Sequence, residues 1–253
     1  MHGLRGPERR IFKIMVALAM VASCIILLLL IDNVASVLLG PRGEGLLLWA
    51  LGEESARESL VVSQREACIG APFILPAEGF IGLPYASSGG PYSRANRHQG
   101  IDIFSPDRKT PGLVPVYAAY DGYVTRKDDW RSTLIQRVPD DPLQPGRQIW
   151  LYYTHMADSE GDDFIVDTFP PGAREVFVEQ GTLLGYTGDY NGNSPRGIWV
   201  HLHFSIVKDD GTGRYLNELE FDNTLDPSPY LGMPVNDSCA PTVPSCGPVD
   251  ECT

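Results

Sequence analysis

Basic charge is scarce in this chain of 253 residues. Twenty lysines and arginines stand against 32 aspartates and glutamates, for a net charge of −12. The imbalance is steeper outside the amino terminus. Residues 1–31 hold Arg5, Arg9, Arg10 and Lys13 against Glu8, a net of +3, which leaves −15 on residues 32–253. So acidic a body is a poor partner for nucleic acid, whose phosphates select basic surfaces. No glycine run is followed by a lysine and a helix-forming stretch, as a phosphate cradle requires, so no nucleotide site is expected. No long amphipathic helix and no internal repeat is evident, which argues against bundles and solenoids. Cysteine is sparse, and none of the five is spaced Cys-x-x-Cys, which disfavours a structural zinc knuckle. Histidine is as scarce, with five residues.

Four of those five histidines fall into three short motifs. They are His98-Gln99-Gly100-Ile101-Asp102, Tyr153-Thr154-His155-Met156 and His201-Leu202-His203-Phe204. Imidazole nitrogen and carboxylate oxygen are the usual ligands of catalytic zinc, which takes three from the protein and keeps one position open. Val200 to Val207 alternates strictly, with Val200, Leu202, Phe204 and Ile206 on one face and His201, His203 and Ser205 on the other. This is a strand, with both imidazoles turned from the core and roughly 7 Å apart. His98 and Asp102 are four apart, but Gly100 disfavours a helix. The β-branched and aromatic content of Gly-Ile-Asp-Ile-Phe puts Asp102 near the start of a strand, with His98 on the preceding loop. Each motif alone is compatible with solvated polar residues; together each supplies what the others lack.

The ordered set His-x-x-x-Asp, a later lone His after aromatic strand residues, and His-x-His resembles the lysostaphin and LytM family of zinc endopeptidases. The likeness extends to Pro115–Val124 (strand, turn, strand), to the glycine-marked turns of Val178–Gly188, and to the closing segment Pro227–Leu231, spanning roughly residues 76–232. It implies a mainly β fold, an antiparallel β-sheet or sandwich domain with a zinc-containing groove. It implies metal ligands at His98, Asp102 and His203, and catalytic histidines at His155 and His201. A tyrosine upstream of the first motif is implied to steady the transition state, with Tyr92 and Tyr85 as candidates. Arg94 and Arg97, just before the metal motif, are weaker candidates for a substrate carboxylate. The chain departs from the family in a longer loop, Asp189–Val200, that borders the cleft.

Catalytic zinc lowers the pKa of its water to about 7 and polarises the scissile carbonyl. His155 and His201, with a reference pKa of about 6.5, suit general acid/base work. The sequence does not divide those roles; His201 is the preferred base. One carboxylate ligand beside two neutral imidazoles implies a net positive site, favourable to an oxyanion. The function implied is a zinc-dependent metalloendopeptidase that hydrolyses peptide bonds in peptidoglycan stems or cross-bridges. The alternatives are a catalytically silent or regulatory scaffold of the same fold, and a zinc peptidase with a protein substrate.

From Ile14 to Ile31 no residue is charged, and about 20 apolar residues span a bilayer. The basic residues before this run predict a cytoplasmic stub and an exported body. A cleaved signal peptide, cut near Ala35 or Ser36, and a weak lipoprotein box at Val21–Cys24 are the rival readings. The expected organisation is a basic stub and transmembrane helix (1–31), a stalk or linker (32–75) with a short helix within Glu53–Glu66, the catalytic domain (76–235) and an irregular Cys/Pro-rich tail (236–253). Cys68, Cys239, Cys246 and Cys252 are even in number, as two disulfides require, with three connectivities. Cys68 and a tail cysteine are placed to tie the domain's ends together.

Overall fold

The computed structural model describes residues 14–16, 18, 20, 21, 45–63, 66–192 and 198–249. The chain divides into two compact units, Met1–Leu47 and Leu48–Thr253. In the first, the described residues between 14 and 21 are helical and exposed. Most of the apolar run expected to cross a membrane lies outside the described residues. Among the described residues no helix is long and apolar enough to cross one.

The second unit is mainly β. Its strands are β1 (Phe80–Leu83), β2 (Ile101–Phe104), β3 (Pro115–Tyr117), β4 (Gly122–Thr125), β5 (Leu134–Val138), β6 (Ile149–Thr154), β7 (Val176–Val178), β8 (Leu183–Tyr186), β9 (His201–Lys208) and β10 (Thr224–Leu225). A short helix, α1 (Glu54–Glu58), precedes them, and α2 (Ser228–Leu231) follows. Eight strands form one sheet in the order β1-β2-β9-β6-β5-β4-β7, with β10 also paired to β9; β3 and β8 form a separate ribbon. All these pairings are antiparallel.

The alternation read from the sequence sets the two faces. Ile101, Ile103, Leu134, Ile149, Leu151, Tyr153, Leu202, Phe204 and Ile206 turn into one large core. Part of the segment expected as linker joins it: Val62 pairs with Gly79, and Val62, Cys68, Phe73 and Leu75 are buried in the same cluster. The helix expected within Glu53–Glu66 is the five residues of α1. A disulfide between Cys68 and Cys246 fastens the tail to the start of this body, as the cysteine positions suggested; Cys239 is disulfide-bonded as well. Residues 236–249 form no helix or strand.

The opposite face of the sheet is not the open polar surface that alternation alone implies. β9 is buried over seven of its eight residues, including His201, His203 and Ser205. Ile135, Trp150 and Val207 form a small apolar cluster there, roofed by Trp130, Tyr152, Tyr215 and Leu216. Chain returning after β9 covers the sheet, and beside it lies the histidine site.

Candidate metal centre

Strand register brings the motifs together. In the antiparallel pairing Asp102 of β2 lies opposite His203 of β9, and Thr154 of β6 lies opposite His203 on its other side. Directly opposed residues share a face of the sheet with Cβ atoms about 5 Å apart, so Asp102 and His203 must meet. His98 reaches them from the loop before β2. That loop runs tight against β9: a Cβ on Gly100 would stand 2.2 Å from the carbonyl oxygen of Phe204. The glycine whose helix-breaking nature was read from the sequence is therefore required by close backbone approach.

Three atoms converge. His203 Nδ1 is 2.8 Å from Asp102 Oδ1, His98 Nε2 is 3.1 Å from the same oxygen, and the two nitrogens are 3.0 Å apart. All three residues are buried, His98 completely. The far nitrogen of each ring is already committed: His98 Nδ1 donates to the Pro84 carbonyl at 3.1 Å, and His203 Nε2 donates to Glu218 Oε1 at 2.8 Å. When both rings are neutral each carries one proton, and the remaining nitrogens present lone pairs to one point beside a carboxylate. Bare lone pairs so close repel, and a cation resolves the conflict. Ligand atoms set about 2.0–2.2 Å from a tetrahedral zinc lie about 3.3 Å from one another, close to the separations seen. These three residues are a group fit to hold a metal ion, and their donors suit zinc.

The electrostatics agree. Burial pushes the Asp102 carboxyl up, but the His98 and His201 rings and hydrogen bonds from His203 and His98 outweigh it and hold it well below the usual range. Burial opposes charge on His203, yet Glu218 and Asp102 raise it to about 10. The position between the two carboxylates thus favours a positive charge, a proton or a metal.

His155 and His201 stand alongside, their ring centroids 4.5 Å apart. His201 Nε2 is 3.8 Å from Asp102 Oδ1. The ring centroid of His155 is 6.3 Å from that of His203. Each is oriented by a backbone carbonyl of the long loop: His155 Nδ1 donates to Tyr190 O at 2.7 Å and His201 Nδ1 to Trp199 O at 2.6 Å. Both therefore keep Nε2 as a free base. Burial first, then the neighbouring histidines, lowers His155 to about 3; burial likewise lowers His201. His155 ends β6 with a left-handed backbone, φ 70°, which a non-glycine residue adopts only when its surroundings impose it.

Of the two tyrosines, Tyr92 stacks on His98 with centroids 4.5 Å apart. Its hydroxyl pKa is raised by burial and by the charges of Asp102 and Glu218. Tyr85 is buried against Phe221, 5.0 Å away, and its backbone N–H donates to Val235 O. Tyr92 is the tyrosine at the site. Arg94 and Arg97 are exposed. The Arg97 guanidinium lies over the Phe221 ring at 3.9 Å.

Glu218 went unnoticed in the sequence, since one glutamate in an acidic loop carries no signal. It also changes the charge balance. With a dication, two ionised carboxylates bring the site to a formal charge of zero where one carboxylate had implied a positive site.

No protein-family model matches the chain, and no curated protein matches it. Among solved structures it is similar to the catalytic domain of the antimicrobial peptidase lysostaphin from Staphylococcus simulans, at 17% identity over 58% of this chain and 88% of that one, with a TM-score of 0.38. It is also similar to a putative glycyl-glycine endopeptidase lytM from Ruminococcus gnavus, at 24% identity over 72% of this chain and 64% of that one, TM-score 0.39. A zinc-containing peptidase from Vibrio cholerae is a third, at 20% identity over 62% and 40%, TM-score 0.33. Likenesses at these scores assign no residue a role, and the case for chemistry rests on the five side chains described above.

Proposed function

We propose that this chain is a zinc-dependent metalloendopeptidase whose substrate is a peptide of peptidoglycan, in the stem or the cross-bridge, and that it acts outside the cytoplasm from a membrane anchor or after secretion. The observation that carries the hydrolase reading is the convergence of two imidazole lone pairs and a carboxylate beside two further histidines with free Nε2 atoms. A scaffold has no use for such a set. The substrate class rests on the motif resemblance, and the location on the apolar run flanked by basic residues.

His98, Asp102 and His203 would hold the metal. Bound zinc supplies an acidified water and polarises the scissile carbonyl. His201, whose Nε2 lies nearest Asp102 and is kept neutral by burial, is placed to accept the water's proton and pass it to the leaving amine. His155, whose Nε2 is a free base in the same tautomer, is a second proton acceptor beside it, and the Tyr92 hydroxyl, kept protonated by burial and by the charges of Asp102 and Glu218, flanks the same space through the contact of its ring with His98. The Tyr190 and Trp199 carbonyls hold both catalytic rings in one tautomer, so their free nitrogens face the reacting groups without reorganisation.

The test is release of muropeptides from purified peptidoglycan with and without a zinc chelator. Chelator-sensitive appearance of new amino termini supports the reading, and product masses identify the bond. No release by folded, zinc-loaded protein from several wall types counts against it and favours the scaffold or a protein substrate.

A further inference from the structure

We infer that Glu218 is a positioning residue that fixes the tautomer of His203 and tightens the hold on the metal. The inference rests on the metal-centre reading above and names a residue that the motifs do not contain. Glu218 lies between β9 and β10, in chain that folds back over the histidine face of the sheet. Its Oε1 accepts from His203 Nε2 at 2.8 Å and from Ser205 Oγ at 3.1 Å, and its side chain is only 10% exposed. Burying an ionised carboxylate is costly unless hydrogen bonds compensate. Both compensating donors come from the face of β9 that carries the ligand.

An ionised carboxylate only accepts hydrogen bonds. His203 must therefore carry a proton on Nε2, which leaves Nδ1, 2.8 Å from Asp102 Oδ1, as the nitrogen that gives up its proton and turns its lone pair to a metal at the point shared by Asp102 and His98. The two imidazole ligands are thus unequal. His98 is oriented by a neutral carbonyl, Pro84 O, whereas His203 is oriented by a charge that raises its basicity. The acidic loop is also fastened to the first ligand's loop: Gln99, next to His98, donates through Nε2 to Leu219 O at 2.9 Å. Glu218 itself sits on the far side of the His203 ring from Asp102 and His98 and is not a member of the ligand group.

The test compares the full chain with E218A, E218Q and S205A by chelator competition for zinc and by the visible spectrum of the cobalt-substituted protein. E218A is expected to weaken zinc binding by about 10- to 100-fold and to shift the cobalt bands. E218Q keeps an acceptor oxygen opposite Nε2 and is expected to recover most of the affinity. S205A removes one anchor of the carboxylate and is expected to lose a few-fold. A merely structural role would lower the melting temperature of the zinc-free protein and leave affinity and spectrum alone. E218A binding zinc within twofold of the parent, with unchanged cobalt bands, overturns the inference. Should E218A not fold, E218Q and S205A both matching the parent overturns it equally. An unaltered chain that binds no zinc removes the metal-centre reading itself, a different outcome from failure of the inference alone.

Discussion

At the scale of single residues, the five site side chains divide by what their free nitrogens and oxygens face. Substituting His155 or His201 by alanine removes a proton-transfer group and no ligand. Each variant should retain one zinc per chain by metal analysis while peptide hydrolysis falls about 10²- to 10⁴-fold. Asp102→Ala should instead lose the metal, because its oxygen is the point on which both ligand nitrogens converge. Zinc retention by Asp102→Ala, or zinc loss by His155→Ala, would mean the roles are misassigned. The histidines were legible because their residue type is rare, and Asp102 because its spacing from His98 is local. Glu218, the Pro84 carbonyl and the choice of Tyr92 over Tyr85 were not, because each follows from which loop folds over which strand.

The same residues set the acid and base limits of the zinc-free protein. Folding keeps His155 near 3 and lowers His201, both chiefly by burial, whereas in the unfolded chain they take up protons below about 6.5. The unfolded state then binds more protons than the folded one, so stability falls as pH drops from about 6.5 towards 3. His203 has the opposite sign. Raised to about 10, it keeps a proton that the unfolded chain has released, and its contribution is lost as pH rises from about 6.5 through 10. Thermal melts in chelator should therefore peak near pH 6.5. Zinc requires His203 to be neutral, so saturating metal should abolish the alkaline limb. A flat melting temperature from pH 4.5 to 9 in chelator would sink this account.

At the scale of elements, the site depends on close backbone approach at two glycines. Gly100 lets the His98 loop run against β9. Gly188 does the same between His155 and His201: its carbonyl accepts from His201 N at 3.1 Å, and a Cβ there would stand 2.6 Å from His155 O and 2.0 Å from Ala157 O. Gly188→Ala must push apart backbone that cannot yield like a side chain. About 1–3 kcal/mol of stability should be lost, read from the urea midpoint, with hydrolysis falling further than metal content. Unchanged stability would show that the two segments are less tightly packed than they stand here. Strand β9 was fully legible, since alternation is a local signal. Burial of its histidine face was not: Glu218 and the Tyr215–Leu216 roof come from chain after the strand, and periodicity within a strand says nothing about what later covers it. The long loop at Asp189–Val200 stood out as a departure, yet among its described residues Tyr190 and Trp199 act through backbone carbonyls, which every residue type offers equally.

At the scale of the whole molecule, the segment expected as linker before the β domain is shorter than polar composition suggested. Leu60, Val62, Cys68, Phe73 and Leu75 are buried, Phe73 wholly and against Tyr120 and Tyr230, because a few apolar side chains suffice to anchor a segment. The Cys68–Cys246 bond, separated by 178 residues, ties this segment to the tail. Closing so long a loop restricts the unfolded chain, by about 5 kcal/mol in the chain-entropy account and commonly less when measured. The bond joins buried Cys68 to exposed Cys246; His98, Asp102 and His203 are held by β2, β9 and the loops beside them. Cys246→Ser should therefore lower the unfolding free energy by about 2–5 kcal/mol while zinc affinity, measured well below the melting temperature, stays within about twofold. A large loss of zinc affinity at full folding would place the tail in control of the site, through the pairing of Asn236 and Asp237 with Tyr85 beside the Pro84 carbonyl that orients His98.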